Sequence, residues 1–296
     1  MQQRSSNKRV YRMGLITILV GLLVILYPLQ SITWNHFTSK DELKTFLQDE
    51  QKMTDQVKQR LEEQAKTYNS SIDPNAVGVV DPFEVKDFTT ATILSMEPDA
   101  AFAFVSIPKI DETLPIYQGA SDYHLSLGAA HVTGTSLPIG GMGQRSVIAG
   151  HRGYATQRMF QYLDRLEPGD KIYITILGKV LTYEVYDSQV IWPSESGKLA
   201  AVDGEDVLTL LTCTPYLVNT ERLLVNARRV DEVSSTTGQV SQTPEDQVAQ
   251  VSQGTVDQGV EFRIRLFQIL VLVLWLAVAL VFIKLLVSFR HKKIGE

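Results

Sequence analysis

Two long apolar runs, one near each end of the chain, set the strongest limit on how it folds. The first covers residues 13–29 and follows a basic segment, 1–12, with four Lys or Arg residues. The second covers residues 266–289 and precedes a basic tail at 290–296. Apolar helices of about 17–25 residues cross a bilayer, so both runs predict transmembrane helices. Basic flanks remain in the cytoplasm, which predicts that both termini are cytoplasmic.

The first run also has the basic and apolar regions of a cleaved signal peptide. Small residues typical of a cleavage site do not follow it, because Tyr27 to Gln30 is bulky, and an uncleaved anchor is the favoured interpretation. Residues 30–262 then face outward with 18 Lys and Arg against 32 Asp and Glu, a net charge of −14. We therefore expect a two-pass membrane protein that contacts the lipid bilayer. The chain has no basic stripe that would indicate nucleic-acid binding.

The segments next to the two spans have different compositions. Residues 30–75 predict an N-terminal helical segment, because Ser39 to Glu42 fits a capping box at a helix start. Apolar residues then recur at helical spacing as far as Ala65. Residues 233–262 are rich in Ser, Thr and Gln with almost no aromatic residues. This composition predicts a flexible linker.

The region between residues 91 and 232 has a predominantly β pattern. A short helix is expected at Met159 to Leu166, and many short strands with few helices predict a mainly β sandwich or closed barrel. The apolar runs that predict strands cover residues 102–107, 114–117, 146–149, 171–177, 180–192, 207–213 and 223–230.

The only cysteine of the chain, Cys213, lies at the end of one of these predicted strands. Pro215 cannot donate to a strand ladder, so the strand should end near the thiol. Arg222 opens the next predicted strand, nine residues further on. A lone cysteine is most often a buried small hydrophobe. A thiol facing a guanidinium across one loop also suits a nucleophile and its oxyanion partner.

His151 is the candidate general acid or base. Of the five histidines, it alone follows a predicted strand and precedes a glycine-bearing loop, whereas His124 and His131 lie in polar, turn-rich segments. Residues that act together in catalysis meet in space, so the 62 residues between His151 and Cys213 are no obstacle. One cysteine and no histidine pair at ligand spacing argue against a metal site.

An acidic and an aromatic residue flank a proline at Asp81-Pro82-Phe83, after a break rich in turn residues. By itself this tripeptide is a common surface turn. Physically, Asp81 has the charge to pair with Arg222, and the ring of Phe83 has the size to cover the thiol.

The segment TLLTCTPYLVNTERLLVNARR, in which Thr212 and Thr214 flank Cys213, resembles the active-site segment of the sortases. Sortases are cysteine transpeptidases of Gram-positive surfaces, and this form is particularly similar to class C, the pilus-building sortases. The AGHRG segment around His151 resembles the sortase histidine motif. Asp81 to Phe83 resembles the class C lid, and the paired anchors are another class C feature.

The resemblance implies a closed sortase-type β-barrel at 91–232, preceded by a lid segment at 76–90. It also implies that Cys213 cleaves an LPxTG-like signal between Thr and Gly, with Arg222 holding the oxyanion and His151 protonating the leaving amine. A lysine amine of another pilin would resolve the thioacyl enzyme, with no cofactor. The alternatives are a housekeeping sortase that anchors proteins to a cell-wall precursor, and a non-enzymatic surface scaffold.

Overall fold

The computed structural model describes residues 2–75, 78–84, 93–94, 99–154, 156–230, 244–252 and 254–290. The chain divides into two compact units. The larger unit comprises residues 36–154 and 158–257. The smaller unit comprises residues 1–35, 155–157 and 258–296.

Within the described part of the larger unit, eight strands form one closed barrel in the order β1-β2-β3-β4-β7-β8-β6-β5. The pairs β2–β3 and β4–β7 are parallel, and the other neighbours are antiparallel. The strands are β1 Ala103–Ile107, β2 Glu112–Gln118, β3 Ala129–His131, β4 Gln144–Ala149, β5 Lys171–Ile176, β6 Lys179–Ile191, β7 Asp206–Thr214 and β8 Glu221–Arg229. The closed barrel and the seven predicted strands are confirmed.

The strand β7 is buried along almost its whole length, which explains its continuous apolar, β-branched sequence. It pairs with β4 on one side and β8 on the other, so it is a central strand of the barrel wall. Leu211 packs in a core cluster with Val147 of β4 and Leu224 of β8. This packing holds the ends of the three strands in a fixed register.

Three short elements differ from the prediction. The strand β3 and the helix α3 (Asp122–Leu127) were not predicted. The sequence of β3, Ala-Ala-His, is only three residues long and lacks β-branched residues, so it has no strand signature. The helix predicted at Met159 to Leu166 is wrong in extent: the structure has a single 3-10 turn at Leu163–Arg165. Further 3-10 turns lie at Pro108–Ile110 and Ser196–Leu199.

The predicted N-terminal helical segment, residues 30–75, contains the C-terminal part of the helix α1 (Gln2–Lys52) and the whole of the helix α2 (Asp55–Ser71). The predicted helix start at Ser39 is wrong, because α1 continues through it and the Ser39 hydroxyl donates to the carbonyl of His36. The real start lies at Thr54, whose hydroxyl accepts a hydrogen bond from the N–H of Val57. Capping signals are local, and packing of the surrounding helix overrides them here.

Part of the predicted linker is also helical. The helix α4 covers Pro244–Val251, and Val251 packs with Leu43, Leu47 and Phe104 in one cluster. This burial gives the segment a fixed position that its polar composition did not indicate. Residues 233–243 of the predicted linker, like most of the basic tail, lie outside the described residues.

In the smaller unit, apolar side chains of α1 between Leu19 and Leu29 pack against the helix α5 (Gln258–Arg290). Leu26 meets Val271 and Val278 in their shared apolar cluster. The Arg12 guanidinium donates to the Ser288 hydroxyl at 2.9 Å. The helical stretches Arg9–His36 and Gln258–Phe289 are long and apolar enough to cross a membrane. Two apolar helices therefore flank the barrel domain, which is consistent with membrane anchoring.

Candidate active site

Three neighbouring strands bring the predicted catalytic residues to one end of the barrel. Cys213 on β7 and Arg222 on β8 are cross-strand partners. On the other side of β7, Ala149 of β4 pairs with Leu211 in parallel register. His151 and Cys213 each lie two residues beyond this pair, so the two strands carry them forward side by side.

Hydrogen bonds continue the β4–β7 pairing into the loop that carries His151. The N–H of Gly150 donates to the carbonyl of Leu211 at 3.0 Å, and the Thr212 hydroxyl donates to the carbonyl of Gly150 at 2.7 Å. A Cβ atom at Gly150 would lie 2.8 Å from the ring of Phe160, so only glycine fits there. The carbonyl of His151 in turn accepts the N–H of Phe160 at 3.0 Å. Thr212 therefore supports the backbone next to the candidate base.

Cys213 is buried, with only 7% of the residue exposed. Burial raises its pKa above the ordinary value, and the charge of Asp81 adds to this rise. The guanidinium groups of Arg222 and Arg152 act in the opposite direction. The thiol is therefore protonated at neutral pH in this arrangement, and it needs a base or a change of surroundings to become a nucleophile.

Arg222 is bound on several sides. Its Nε donates to Oδ2 of Asp81 at 2.6 Å, and its Nη2 donates to Oδ1 of the same carboxylate at 3.2 Å. Its Nη1 donates to the carbonyls of Asn219 and Glu221, at 3.1 and 2.9 Å. The backbone contacts orient the guanidinium, while Asp81 occupies donors that an oxyanion would use.

The ring of Phe83 lies between the candidate base and the candidate oxyanion partner. Its centroid is 5.6 Å from that of His151 and 5.3 Å from Cζ of Arg222. The N–H of Phe83 donates to Oδ1 of Asp81 at 2.8 Å. This hydrogen bond closes a local turn that fixes the positions of Asp81 and Phe83 relative to each other. Asp81 to Phe83 therefore contacts two of the three predicted catalytic residues.

The imidazole of His151 lies between two aromatic rings, those of Phe83 and Tyr154, and stacks on the latter at 5.1 Å. Burial lowers the pKa of His151, and the negative charge of Asp122 opposes this shift. A neutral imidazole at neutral pH is the form that accepts a proton from a thiol.

The two histidines weighed as alternatives make other contacts. The ring nitrogens of His124 lie 2.7 Å from the carbonyl of Gly119 and 3.0 Å from the carboxylate of Asp99. His131 is fully buried on β3, with Nε2 at 3.0 Å from the carbonyl of Thr135. Burial lowers the pKa of His131 to about 4.

Sequence reasoning missed Arg152, which directly follows His151. Its Nη1 donates to the hydroxyl of Thr214 at 2.6 Å, so Thr214 is held on the side of the thiol that carries the histidine loop. The available signal was a charged residue inside the AGHRG segment next to the candidate base. Among the side chains that the structure describes, no three His, Cys, Asp or Glu residues group closely enough to hold a metal ion.

A closed barrel with cysteine, histidine and arginine at one end defines a class, the cysteine acyltransferases of sortase architecture. Residues 105–230 match the family model described as Sortase domain, and the chain belongs to the sortase family. Sortase A of Streptococcus agalactiae serotype III is 28% identical over 151 residues, 48% of this chain and 60% of that protein. The chain spans 43–66% of the lengths of the curated relatives it matches.

Solved structures of pilus sortases resemble the chain over more of their length. Sortase C2 of the Group B Streptococcus Pilus Island 1 is 36% identical with a TM-score of 0.57, covering 60% of this chain and 100% of that one. Sortase C-1 from Streptococcus pneumoniae is 37% identical with a TM-score of 0.61, covering 65% and 100%. Sortase C-1 from Actinomyces oris is 39% identical with a TM-score of 0.55, covering 59% and 99%. The structural neighbours are therefore class C sortases.

Proposed function

We propose that this chain is a membrane-anchored class C sortase that joins pilin subunits through a lysine isopeptide bond. The observation that carries the proposal is the placement of Cys213, Arg222 and His151 on three adjacent strand ends, beneath a segment that binds Arg222. The likeness to pilus sortases supports the choice of pilins as substrates.

In the first half-reaction, His151 accepts the thiol proton and Sγ of Cys213 attacks the threonine carbonyl of an LPxTG-like signal. Arg222 donates hydrogen bonds to the oxyanion that forms. The Thr–Gly C–N bond then breaks, and the imidazolium of His151 protonates the departing glycine amine. The products are a thioacyl enzyme and the released segment.

In the second half-reaction, the neutral amine of a lysine on another pilin attacks the thioacyl carbon. His151 accepts the proton from this amine, the C–S bond breaks, and the imidazolium of His151 gives the proton to the departing sulfur, which regenerates the thiol. The two pilins are joined by an isopeptide bond. No oxidant, metal or cofactor enters either step of the proposed reaction.

Asp81 to Phe83 serves in this proposal as a lid that holds the enzyme closed. Arg222 cannot donate fully to an oxyanion while Asp81 occupies Nε and Nη2. Substrate therefore selects a minor open population in which this ion pair is broken. Thr212 and Thr214 support the strand end that carries the thiol.

The proposed location is the cell membrane, with both termini in the cytoplasm and the barrel outside. The basic flanks of the two apolar helices support this orientation. The barrel domain then lies on the side of the membrane where exported pilins are found.

The proposal is tested with the full-length protein in detergent, one peptide that carries an LPxTG-like signal and a second that carries a lysine. The expected product is an isopeptide between the Thr carboxyl and the lysine amine, located by tandem mass spectrometry and missing with Cys213→Ala. Transfer only to a cell-wall precursor amine would indicate a housekeeping sortase. Pilus polymerisation that continues in cells with Cys213→Ala would indicate a non-enzymatic scaffold.

A further inference from the structure

Arg152 connects the histidine loop to the strand end that carries the nucleophile. Its side chain is 9% exposed. Nη1 donates to the hydroxyl of Thr214 at 2.6 Å, and Nη2 binds Oδ2 of Asp164 at 3.0 Å. Thr214 is the neighbour of Cys213 in β7. The side chain of Arg152, the residue after the candidate base, thus reaches Thr214, the residue after the candidate nucleophile.

Burying this guanidinium is costly. Its Nε is buried and has no hydrogen-bond partner among the residues that the structure describes. A buried donor without a partner destabilises the folded state, and more so when the group is charged. The carboxylate of Asp164 is 43% exposed, so water weakens its compensation of the charge. A neutral side chain would join the two loops at lower cost, which indicates that the positive charge itself has a use here.

The use follows from the charges that face the thiol. The groups that act on Cys213 are Arg222 and Asp81 on one side and Arg152 on the other. Asp81 offsets Arg222 in the closed arrangement, since the two form a buried ion pair. In the open arrangement of the proposed mechanism, Arg222 would turn to the substrate oxyanion. The contacts of Arg152 with Thr214 and Asp164 do not involve the lid, so lid opening breaks neither of them.

On the basis of the transpeptidase function proposed above, we propose that Arg152 is a positioning residue of this site. Acting through Thr214, it fixes the end of β7 that carries Cys213, and it maintains a positive charge beside the thiol in both the closed and the open enzyme. The charge favours the thiolate at the start of the reaction and the thiolate that leaves when the thioacyl bond breaks.

The test is the pH dependence of Cys213 alkylation by iodoacetamide in the full-length protein in detergent. The midpoint should rise by about 0.5–1 unit in Arg152→Gln, which loses the charge, and stay near wild type in Arg152→Lys. Asp164→Asn should shift the midpoint the other way, to lower pH, because it removes the carboxylate that offsets the guanidinium. The matched control is Arg165→Gln, which removes an exposed guanidinium from the 3-10 turn that also carries Asp164. This variant should leave the midpoint unmoved.

Two outcomes would overturn the proposal. One is an unchanged midpoint in Arg152→Gln, and the other is an unchanged midpoint in Asp164→Asn. The second variant alters a partly exposed carboxylate, so it decides the matter even where Arg152→Gln does not fold. Thr214→Val separates the positional part, since it keeps the charge and should lower kcat for peptide joining with little change in midpoint. Alkylation needs no peptide substrate, so a failure of the wild type to join peptides would count against the transpeptidase function and not against the role of Arg152.

Discussion

The carboxylate of Asp81 binds the guanidinium of Arg222 through two hydrogen bonds, of 2.6 and 3.2 Å, and both side chains are nearly inaccessible to water. Their exposed fractions are 4% and 5%. An exposed ion pair contributes only about 0.2–1 kcal/mol, whereas a buried pair is costly to break from one side because a charge is left without a partner. We therefore expect only a minor population of the free enzyme to have this pair broken, and substrate that binds Arg222 in place of Asp81 to stabilise that population.

Opening the lid by mutation should expose the thiol. We expect Asp81→Ala combined with Phe83→Ala to increase the alkylation rate of Cys213. The change removes the ring beside His151 and the negative charge that adds to the effect of burial in raising the pKa of the thiol. The rate is measured with a small thiol reagent at neutral pH. Glu84→Ala, an exposed change in the same turn, is the control. Equal rates in wild type and double variant would show that Asp81 to Phe83 is an ordinary surface turn.

Each of the three proposed catalytic residues should be needed for turnover. Arg222→Ala should lower the rate by about 10²–10³-fold, the effect of losing one oxyanion donor, and Cys213→Ala and His151→Ala should nearly abolish it. Peptide joining is measured by chromatography, with circular dichroism to show that each variant folds. His124→Ala is the matched histidine control and should stay active. Near-normal joining by His151→Ala would reject this assignment and direct attention to His131.

Stability should fall as the pH rises through the range in which Glu50 of α1 ionises. Burial raises the pKa of Glu50 to about 7, and its Oε2 accepts the N–H of Gly178 at 2.9 Å. The folded state therefore holds the proton more tightly than the unfolded state, whose pKa is near 4.5. The stabilisation that protonated Glu50 provides is complete below about pH 4.5 and is lost as the pH rises to about 7.

Glu50→Gln should remove about 1–3 kcal/mol of this pH-dependent change in the free energy of unfolding. The measurement is urea unfolding of the full-length protein in detergent, followed by tryptophan fluorescence on both sides of this pH range. Glu112, whose pKa burial raises to about 6, adds a change of the same sign, so the difference between wild type and variant is the quantity that counts. Glu63→Gln on the exposed face of α2 is the control. Parallel pH curves for wild type and Glu50→Gln would contradict this prediction.

Both termini should be protected in cells. A protease added to intact protoplasts should digest the barrel domain while tags on the two ends survive, because the basic flanks keep both ends inside. The readout is an immunoblot for each tag, and permeabilised protoplasts, in which both tags should be digested, are the control. Loss of the C-terminal tag in intact protoplasts would show that α5 does not cross the membrane as proposed.

The parts of the site that are local in sequence could be predicted, and the parts that depend on distant pairing could not. Pro215 ends β7 just after Cys213, and a nine-residue separation across one loop makes Arg222 its cross-strand partner. The position of His151 depends on the parallel pairing of β4 with β7, between residues that are 62 apart. Local periodicity does not encode such a pair. The predicted strand and the glycine-bearing loop around His151 made this histidine a candidate, and the resemblance to a family strengthened the assignment.

Tertiary packing explains the remaining differences. The capping signal at Ser39 has no effect within a continuous helix, and Val251 is buried in a segment whose composition is that of a linker. The burial of the Asp81–Arg222 pair and the link from Arg152 to Thr214 also depend on loops from separate strands. The charges of Asp81 and Arg222 predicted that these two residues pair, whereas neither a residue type nor a spacing in the sequence encodes the burial of the pair or the link from Arg152 to Thr214.

The most direct test of the account is the intact mass of the full-length enzyme after reaction with an LPxTG-like peptide and an acid quench. The account predicts a mass increase equal to the peptide portion that ends in Thr, located on Cys213 by peptide mapping and missing in Cys213→Ala. The same experiment with Asp81→Ala and Phe83→Ala combined should give more of this adduct, because the lid no longer excludes the peptide. An adduct at another residue, or none in this lid variant, would contradict the account.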